Sequence, residues 1–376
     1  MGERRILLIS EWYPPAYKAG GPIQSIYGMA LLLANHAQVY VVAGNKDLGS
    51  EAPMELVSEE WICSTNGVHV QYVDPQDLSG KFWSEKVAEN NPTHIHLNSL
   101  YSWKFSLLPL LASKSNQGAK LVLAPRGMLG QAARSIKPQK KRLFLGASKL
   151  AQVFKGIIWH ASTQLEADEV LDFLPNANVR IAQDLPSPAP SETPSRPAES
   201  WNIAVIGRIH RVKNLHFGLK AVLEAKTSRP VTVNFIGPVE DATYQEELER
   251  LATNSPAVRV VFHGGMPPSE LGPHFHAAHY LLSSTTQENF GHSIVEAWAH
   301  GCPVIISDRT PWRDLKAHNV GWDWPLDESE WNAGLNAALT LNHAEWEAKS
   351  RAARAYFSER VQSAEAEQAN LALFDL

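Results

Sequence analysis

The sequence has only two cysteines, Cys63 and Cys302, far apart and without a CxxC partner. That excludes a disulfide framework and a cysteine-based zinc site, and a reducing cytoplasm is the expected compartment. No run approaches the roughly 18 to 20 apolar residues of a membrane-spanning helix, so any membrane contact is expected to be peripheral. The first ten residues enter a strand pattern without a small-residue cleavage signal, so no secretion is expected. A net charge of -5 is small for 376 residues and points away from nucleic acid. Two motifs are also missing. Without GxGxxG the chain is a poor candidate for a nicotinamide-dependent oxidoreductase, and without an Asp-x-Asp triplet it needs no metal clamp on phosphates. No metal and no cofactor are expected.

What is present is a chain too long for one core, since single cores tend to split beyond roughly 250 to 300 residues. Short apolar runs alternate with longer amphipathic segments, the pattern of an α/β protein with parallel sheets. In the first half the runs are 5–9, 38–42, 68–73, 93–97, 120–124 and 157–159; in the second they are 201–206, 231–236, 258–262, 279–282 and 304–306. Between them QDLPSPAPSETPSRPAES, residues 183–200, has linker composition. The reading is therefore a domain over 1–182, a linker over 183–200, a second domain over 201–355, and a C-terminal helix over 356–376 that packs back toward the junction.

The segment Glu288-Asn289-Phe290-Gly291-His292-Ser293-Ile294-Val295-Glu296 lies between two strand candidates of the second half. If a helix starts near His292, Glu288 sits in the loop ahead of it and Glu296 in its first turn. The free N–H groups and positive end of that helix suit a diphosphate, and Gly291 allows close approach. A carboxylate one turn in can accept two hydrogen bonds from ribose hydroxyls. Equally, Ser293 to Glu296 reads as a capping box. Gly207-Arg208-Ile209-His210-Arg211-Val212-Lys213-Asn214 follows the first strand of the second domain, where ligands bind in such sheets. Arg208 and Lys213 can neutralise a leaving diphosphate there, or be solvated loop cations.

In the first half, Gly20-Gly21-Pro22 leads from strand one into a helix and is either a phosphate-approaching loop or a helix start. His94 and His96 share a strand face, but lack a third metal ligand. His96 and Asn98 stand at a strand end, and the next strand end reads Ala124-Pro125-Arg126-Gly127-Met128-Leu129. From Arg126 to Lys155 there are eight basic residues and no acidic one, interleaved with Leu143, Phe144, Leu145 and Phe154. That stretch is either a surface for anionic lipid or a lipid diphosphate acceptor, or a solvated helix face.

The paired glutamates and the Gly-Arg…Lys loop resemble the retaining glycosyltransferases of family 4, over nearly the whole chain. The resemblance implies the GT-B fold: α/β, with two Rossmann-like domains whose parallel sheets face a central cleft. It implies transfer of a hexose-type sugar from a nucleotide-diphosphate sugar to a glycan or lipid-linked acceptor, in bacterial exopolysaccharide-type biosynthesis, without a metal. It gives Glu288 the transferred sugar, Glu296 the ribose, and Arg208 and Lys213 the diphosphate, with Asn289, Phe290, Gly291 and His292 in the same donor segment. Gly21 resembles the glycine loop that closes on the donor, and Met266, in His263-Gly264-Gly265-Met266, stands where the family contacts the base. His96, Asn98 and Arg126 fall on the acceptor side. Many relatives have a histidine where Arg126 stands, so its catalytic part departs from the pattern. An inactive nucleotide-sugar-binding subunit on the same scaffold is the alternative.

Overall fold

Runs such as Arg5 to Ser10, RILLIS, are apolar at successive positions rather than alternate ones, and a strand of that kind must be covered on both faces. The computed structural model, which describes residues 4–55, 58–114, 118–135, 137–187, 190, 196, 199–253 and 257–376, meets that demand twice. The chain forms two units, one of Met1–Leu185 with Ala364–Leu376, the other of Pro186–Ser363. Residues 188–189, 191–195 and 197–198 of the expected linker lie outside the described residues.

In the first unit β1 (Arg5–Ser10), β2 (Gln38–Gly44), β3 (Ile62–Cys63), β4 (Val68–Val73), β5 (His94–Leu97), β6 (Lys120–Leu123), β7 (Ile158–Ala161) and β8 (Asn178–Ile181) form one sheet in the order β3-β4-β2-β1-β5-β6-β7-β8. Only the two-residue β3 is antiparallel to its neighbour. Ile6, Leu8, Val39 and Val41 face one buried cluster, whereas Leu7, Ile9, Ile95 and Leu97 face the other. The closing helix Ala364–Ala372 belongs to this unit, and Leu373 and Phe374 behind it are fully buried in the first cluster. Asp375 then takes Lys120 at 2.6 Å and lies 3.3 Å from His94 Nε2.

The second unit holds β9 (Trp201–Ile206), β10 (Val231–Ile236), β11 (Val258–Phe262), β12 (Tyr280–Ser283), β13 (Val304–Ser307) and β14 (Gly321–Trp324), all parallel, in the order β11-β10-β9-β12-β13-β14. Trp201, Ile203, Val233, Phe235, Tyr280 and Ile305 pack one face against Leu219, Leu248, Trp331 and Trp346; each fully buried side chain of this size contributes roughly 1.5 to 3 kcal/mol. Ala204, Leu281, Val304 and Ile306 pack the other against Ile294, Trp298 and Phe357. In both sheets the order of strands reverses beside the first strand, between β1 and β5 and between β9 and β12. Loops leaving the carboxyl ends of such a pair frame a crevice suited to a ligand.

Candidate active site

The segments 207–214 and 284–291 leave β9 and β12, the neighbours at that reversal in the second unit. The carbonyl of Val212 accepts from the Thr286 amide at 3.0 Å, the Thr286 hydroxyl at 3.0 Å and the Thr285 hydroxyl at 3.2 Å, and Ser284 donates to the Asn214 carbonyl at 2.8 Å. From the other side the Ser307 hydroxyl donates to the Thr285 carbonyl, and the Glu288 amide to the Arg309 carbonyl at 2.9 Å. The two loops are thus one hydrogen-bonded body. Lys213, ending a 3-10 turn whose His210 side chain accepts from the Val212 amide, is aimed by it at Glu288.

Lys213 Nζ and Glu288 Oε2 are 2.5 Å apart, with side chains 23% and 19% exposed. Burial alone would raise the Glu288 carboxyl. The Lys213 ammonium, the charge of His292 and the Asn289 amide outweigh it and hold the group below the ordinary carboxylate range. Arg208 reaches the same edge of the sheet and pairs with Glu240 at 2.5 Å, the two side chains 35% and 39% exposed. Arg211, between the two, is committed to Glu247 and Asp241 and lies over the Tyr244 ring.

Gly291 caps the helix His292–Ala299, with φ +87°, and no side chain caps that end. A β-carbon at Gly291 would sit 2.8 Å from Ile294 Cδ1 and 3.3 Å from Glu288 Cγ, in a conformation L-residues avoid. With the cap at Gly291, Ser293 is inside the helix, which decides against a Ser293 to Glu296 capping box. Glu296 instead stands in the second turn, its carboxyl pushed up to about 7 by burial and opposed by His292. Phe290 differs from a ligand-facing residue: its ring is buried against Trp312 and Trp298, and its carbonyl accepts from the Trp312 indole at 2.6 Å. Only its backbone belongs to the loop. Behind β9, β10 and β11 the glycines 207, 237 and 264 follow in step. At Gly237, φ +158°, a β-carbon would lie 2.0 Å from the Gly207 carbonyl oxygen, so the ends of β9 and β10 can close up only with a glycine at 237. Half-buried Met266 continues from the last of them.

In the first unit the sequence-predicted residues converge differently. Arg126, at φ +53°, donates to Asn98 Oδ1 at 2.6 Å and pairs with Asp184, and Asp184 also accepts from Ser25 at 2.7 Å. Asn98 donates to the Pro22 carbonyl at 3.0 Å, beside Gly21 at the start of the helix Gly21–Ala34. Arg126 and Asp184 side chains are each 3% exposed, so the guanidinium ties strand ends and chain exit together rather than facing solvent. One of its nitrogens, Nη2, is buried without a hydrogen bond among the described residues. His96 is placed in the interior, not at an accessible rim. Its Nε2 is 3.3 Å from His160 Nδ1, while His160 Nε2 is 2.8 Å from the Ala182 carbonyl oxygen. A carbonyl only accepts, so His160 carries its proton on Nε2 and accepts from His96. Burial holds both rings below the ordinary histidine range, His160 at about 4, so both are neutral at pH 7. Glu166, another buried acid, ties Gly127 and Ser162 by their amides at 2.6 and 2.8 Å.

Sequence reasoning overlooked Thr285, Thr286 and Ser307, which hold the two donor-side loops together, and Glu240, which holds Arg208. A Ser-Thr-Thr run at the end of a short strand is a usable signal for the first two. Glu240 lies in a loop after another strand and has none. Among the described residues no group of three or more His, Cys, Asp or Glu is placed to hold a metal ion, and no helix is long and apolar enough to cross a membrane.

No curated protein matches the chain by sequence. Solved structures match in fold over its length. HepE from Anabaena, solved with UDP and glucose, superposes with a TM-score of 0.73 at 16% identity, covering 99% of this chain and 98% of that one. Sucrose-phosphate synthase from Thermosynechococcus elongatus gives 0.69 at 17% identity, over 99% and 95%. WaaG, a glycosyltransferase involved in lipopolysaccharide biosynthesis, gives 0.65 at 14% identity, over 99% and 100%. The profile described as Glycosyl transferases group 1 matches residues 201–335, the stretch that carries both loops. The chain therefore has the GT-B fold, and residues 201–335 of its second unit are similar to the group 1 glycosyl transferase profile.

Proposed function

We propose that the protein is a retaining, metal-independent glycosyltransferase that moves a hexose-type sugar from a nucleotide-diphosphate sugar to a glycan or lipid-linked acceptor. The observation that carries this is the Lys213–Glu288 pair at the strand reversal, set beside an uncapped helix start at Gly291 with Glu296 behind it. A diphosphate laid against that helix start meets its positive end and the Lys213 ammonium, with Arg208 in reach from the same loop. Glu288, kept ionised, accepts from hydroxyls of the transferred sugar. Glu296, once ionised, accepts from ribose hydroxyls.

In such a site the protein's work is electrostatic. As the bond between the anomeric carbon and the phosphate oxygen breaks, the bonding pair goes to the diphosphate and Lys213 and Arg208 balance the growing charge. The acceptor hydroxyl bonds to the anomeric carbon on the same face, and its proton passes to a phosphate oxygen. UDP-glucose is the first donor to try, since the HepE structure holds UDP and glucose. Release of UDP during transfer to a panel of glycan and lipid-linked acceptors, unchanged by EDTA and with α-configured product from an α-configured donor, is expected. Inversion at the anomeric carbon, or wild-type turnover by Glu288→Ala, would reject it.

The same reading places the protein in the cytoplasm, peripherally on an anionic membrane through residues 126–155. The helix Pro138–Leu150 supports this, because it leaves Leu143 and Leu150 exposed at 76% and 88% among Lys140, Arg142 and Lys149. Co-sedimentation with vesicles containing phosphatidylglycerol, but not with pure phosphatidylcholine, is the expected result.

A further inference from the structure

Beyond β6 the chain turns through 126–130 into the helix Gln131–Ser135 and then into Pro138–Leu150. Around these two helices lies a concavity of about 550 Å³ lined by Arg134, Lys141 and Arg142 together with Gln131, Ser135 and the buried Leu145. Among the described residues no carboxylate lines it. The side chains of Arg134 and Arg142 make no hydrogen bond or ion pair among the described residues. Lys141 donates to the Ala133 carbonyl at 2.5 Å and lies 4.9 Å from the centre of the Tyr101 ring, which fixes its position and leaves further N–H groups to offer.

On a convex helix face three cations would spread into water and hardly feel one another. In a concavity they converge, and their repulsion is less screened. Burial, with the charge of Lys137 added, holds Lys141 below the ordinary lysine range. A carboxyl in the field of Arg134 gives little relief, since burial and the neighbouring Glu166 and Asp172 push Glu169 up to about 7. Nothing acidic in 126–155 compensates either. Two guanidinium forks and an ammonium lining one concavity match a compact polyanion, because a fork donates two parallel hydrogen bonds to phosphate oxygens.

We infer that this concavity is a binding subsite for a phosphate- or diphosphate-bearing group. As a part of transfer it rests on the function proposed above and would receive the phosphorylated end of the acceptor; as an anion site it stands on the first unit alone.

The probe is inorganic pyrophosphate, titrated calorimetrically into the full chain in an Arg208→Ala/Lys213→Ala background, which removes both cations that the donor-side loops of the second unit offer a diphosphate. The doubly exchanged Arg134→Gln/Arg142→Gln protein, with a matching melting curve, is the comparison; both arginines are solvent-exposed, and the fold does not depend on them. Saturable binding that weakens at least about tenfold in the exchanged protein is expected, the loss of one charge-assisted contact or more. No saturable binding, or equal binding by both proteins, overturns the inference. A second arm tells free phosphate from lipid headgroup: if pyrophosphate displaces the protein from phosphatidylglycerol vesicles, the headgroup uses this subsite, and if it does not, the ligand is a soluble phosphorylated group. UDP binding by the protein with Arg208 and Lys213 intact is measured separately, so failure of the donor reading and failure of this subsite are distinguishable.

Discussion

Both sheets set a cation against a carboxylate beyond the carboxyl ends of their strands, and the two pairs are built to opposite ends. In the first unit Arg126 and Asp184 are 3% exposed and tied further by Asn98 and Ser25. In the second Lys213 and Glu288 are roughly a fifth exposed, next to a helix end that no side chain caps and a carboxyl, Glu296, that titrates near neutrality. A sealed ion pair holds chain segments in register. A half-open pair can exchange its partner for a substrate group. The same chemistry at the carboxyl ends of two parallel sheets thus separates into architecture and machinery by access to water.

The largest effect should come from breaking the sealed pair. Arg126→Ala leaves the Asp184 carboxylate buried without its counter-charge, so a loss of about 3 to 5 kcal/mol of stability is expected in denaturant unfolding. Arg126→Met with Asp184→Leu should recover most of it, because neither charge then remains in the interior. Were Arg126→Ala as stable as wild type and merely inactive, the residue would belong with the machinery and the contrast between the units would fail.

Next in size are the half-open residues, where stability should hold and turnover should not. Glu288→Ala and Lys213→Ala are each expected to lower kcat by about 10² to 10³, with melting temperatures near wild type. A large fall in melting temperature for either would mean the second pair, too, is structural.

How far the sequence reaches follows the same division. β1 and β9 are legible as near-continuous apolar runs, and β4, β10 and β11 because valines and aromatics recur at alternate positions. The short edge strands β3, β8 and β14 are not: β14, Gly321–Trp324, owes its place to Gly321, where a β-carbon would lie 2.1 Å from the Val304 carbonyl oxygen, a constraint that only the neighbouring strand imposes. Glu288, Glu296, Arg208 and Lys213 stand close enough in sequence to strand ends for their location to be read. Whether Arg126 faces a substrate or a buried aspartate depends on Asp184, 58 residues away, and no local pattern carries that. The capping-box reading of Ser293 failed for a related reason: the cap is set by the left-handed turn at Gly291, one residue before the helix.

Glu296 sharpens the comparison through pH. Its folded value of about 7 lies above the ordinary 4.5, so the folded protein keeps a proton that the unfolded chain has released, and stability falls as pH rises between those values. Up to about 3 kcal/mol is at stake, and Glu296→Gln should remove that slope in unfolding experiments from pH 4 to pH 8. UDP affinity should run the other way, tightening as pH rises through 7 relative to Glu296→Gln, because only the ionised carboxylate accepts from both ribose hydroxyls. Identical profiles for the two proteins would remove Glu296 from the donor site.

The smallest effect concerns Arg208, whose pair with Glu240 is the most exposed of the three, at 35% and 39%. Pairs of this kind contribute about 0.2 to 1 kcal/mol, so Glu240→Gln should leave the melting temperature almost unchanged. If Arg208 must leave Glu240 to reach a diphosphate, that same small energy opposes donor binding, and removing the carboxylate should tighten the UDP Kd by about 1.4- to fivefold. Weaker binding in Glu240→Gln would mean instead that Glu240 holds Arg208 in its working position, and the pair would then resemble the sealed one in kind while differing only in exposure.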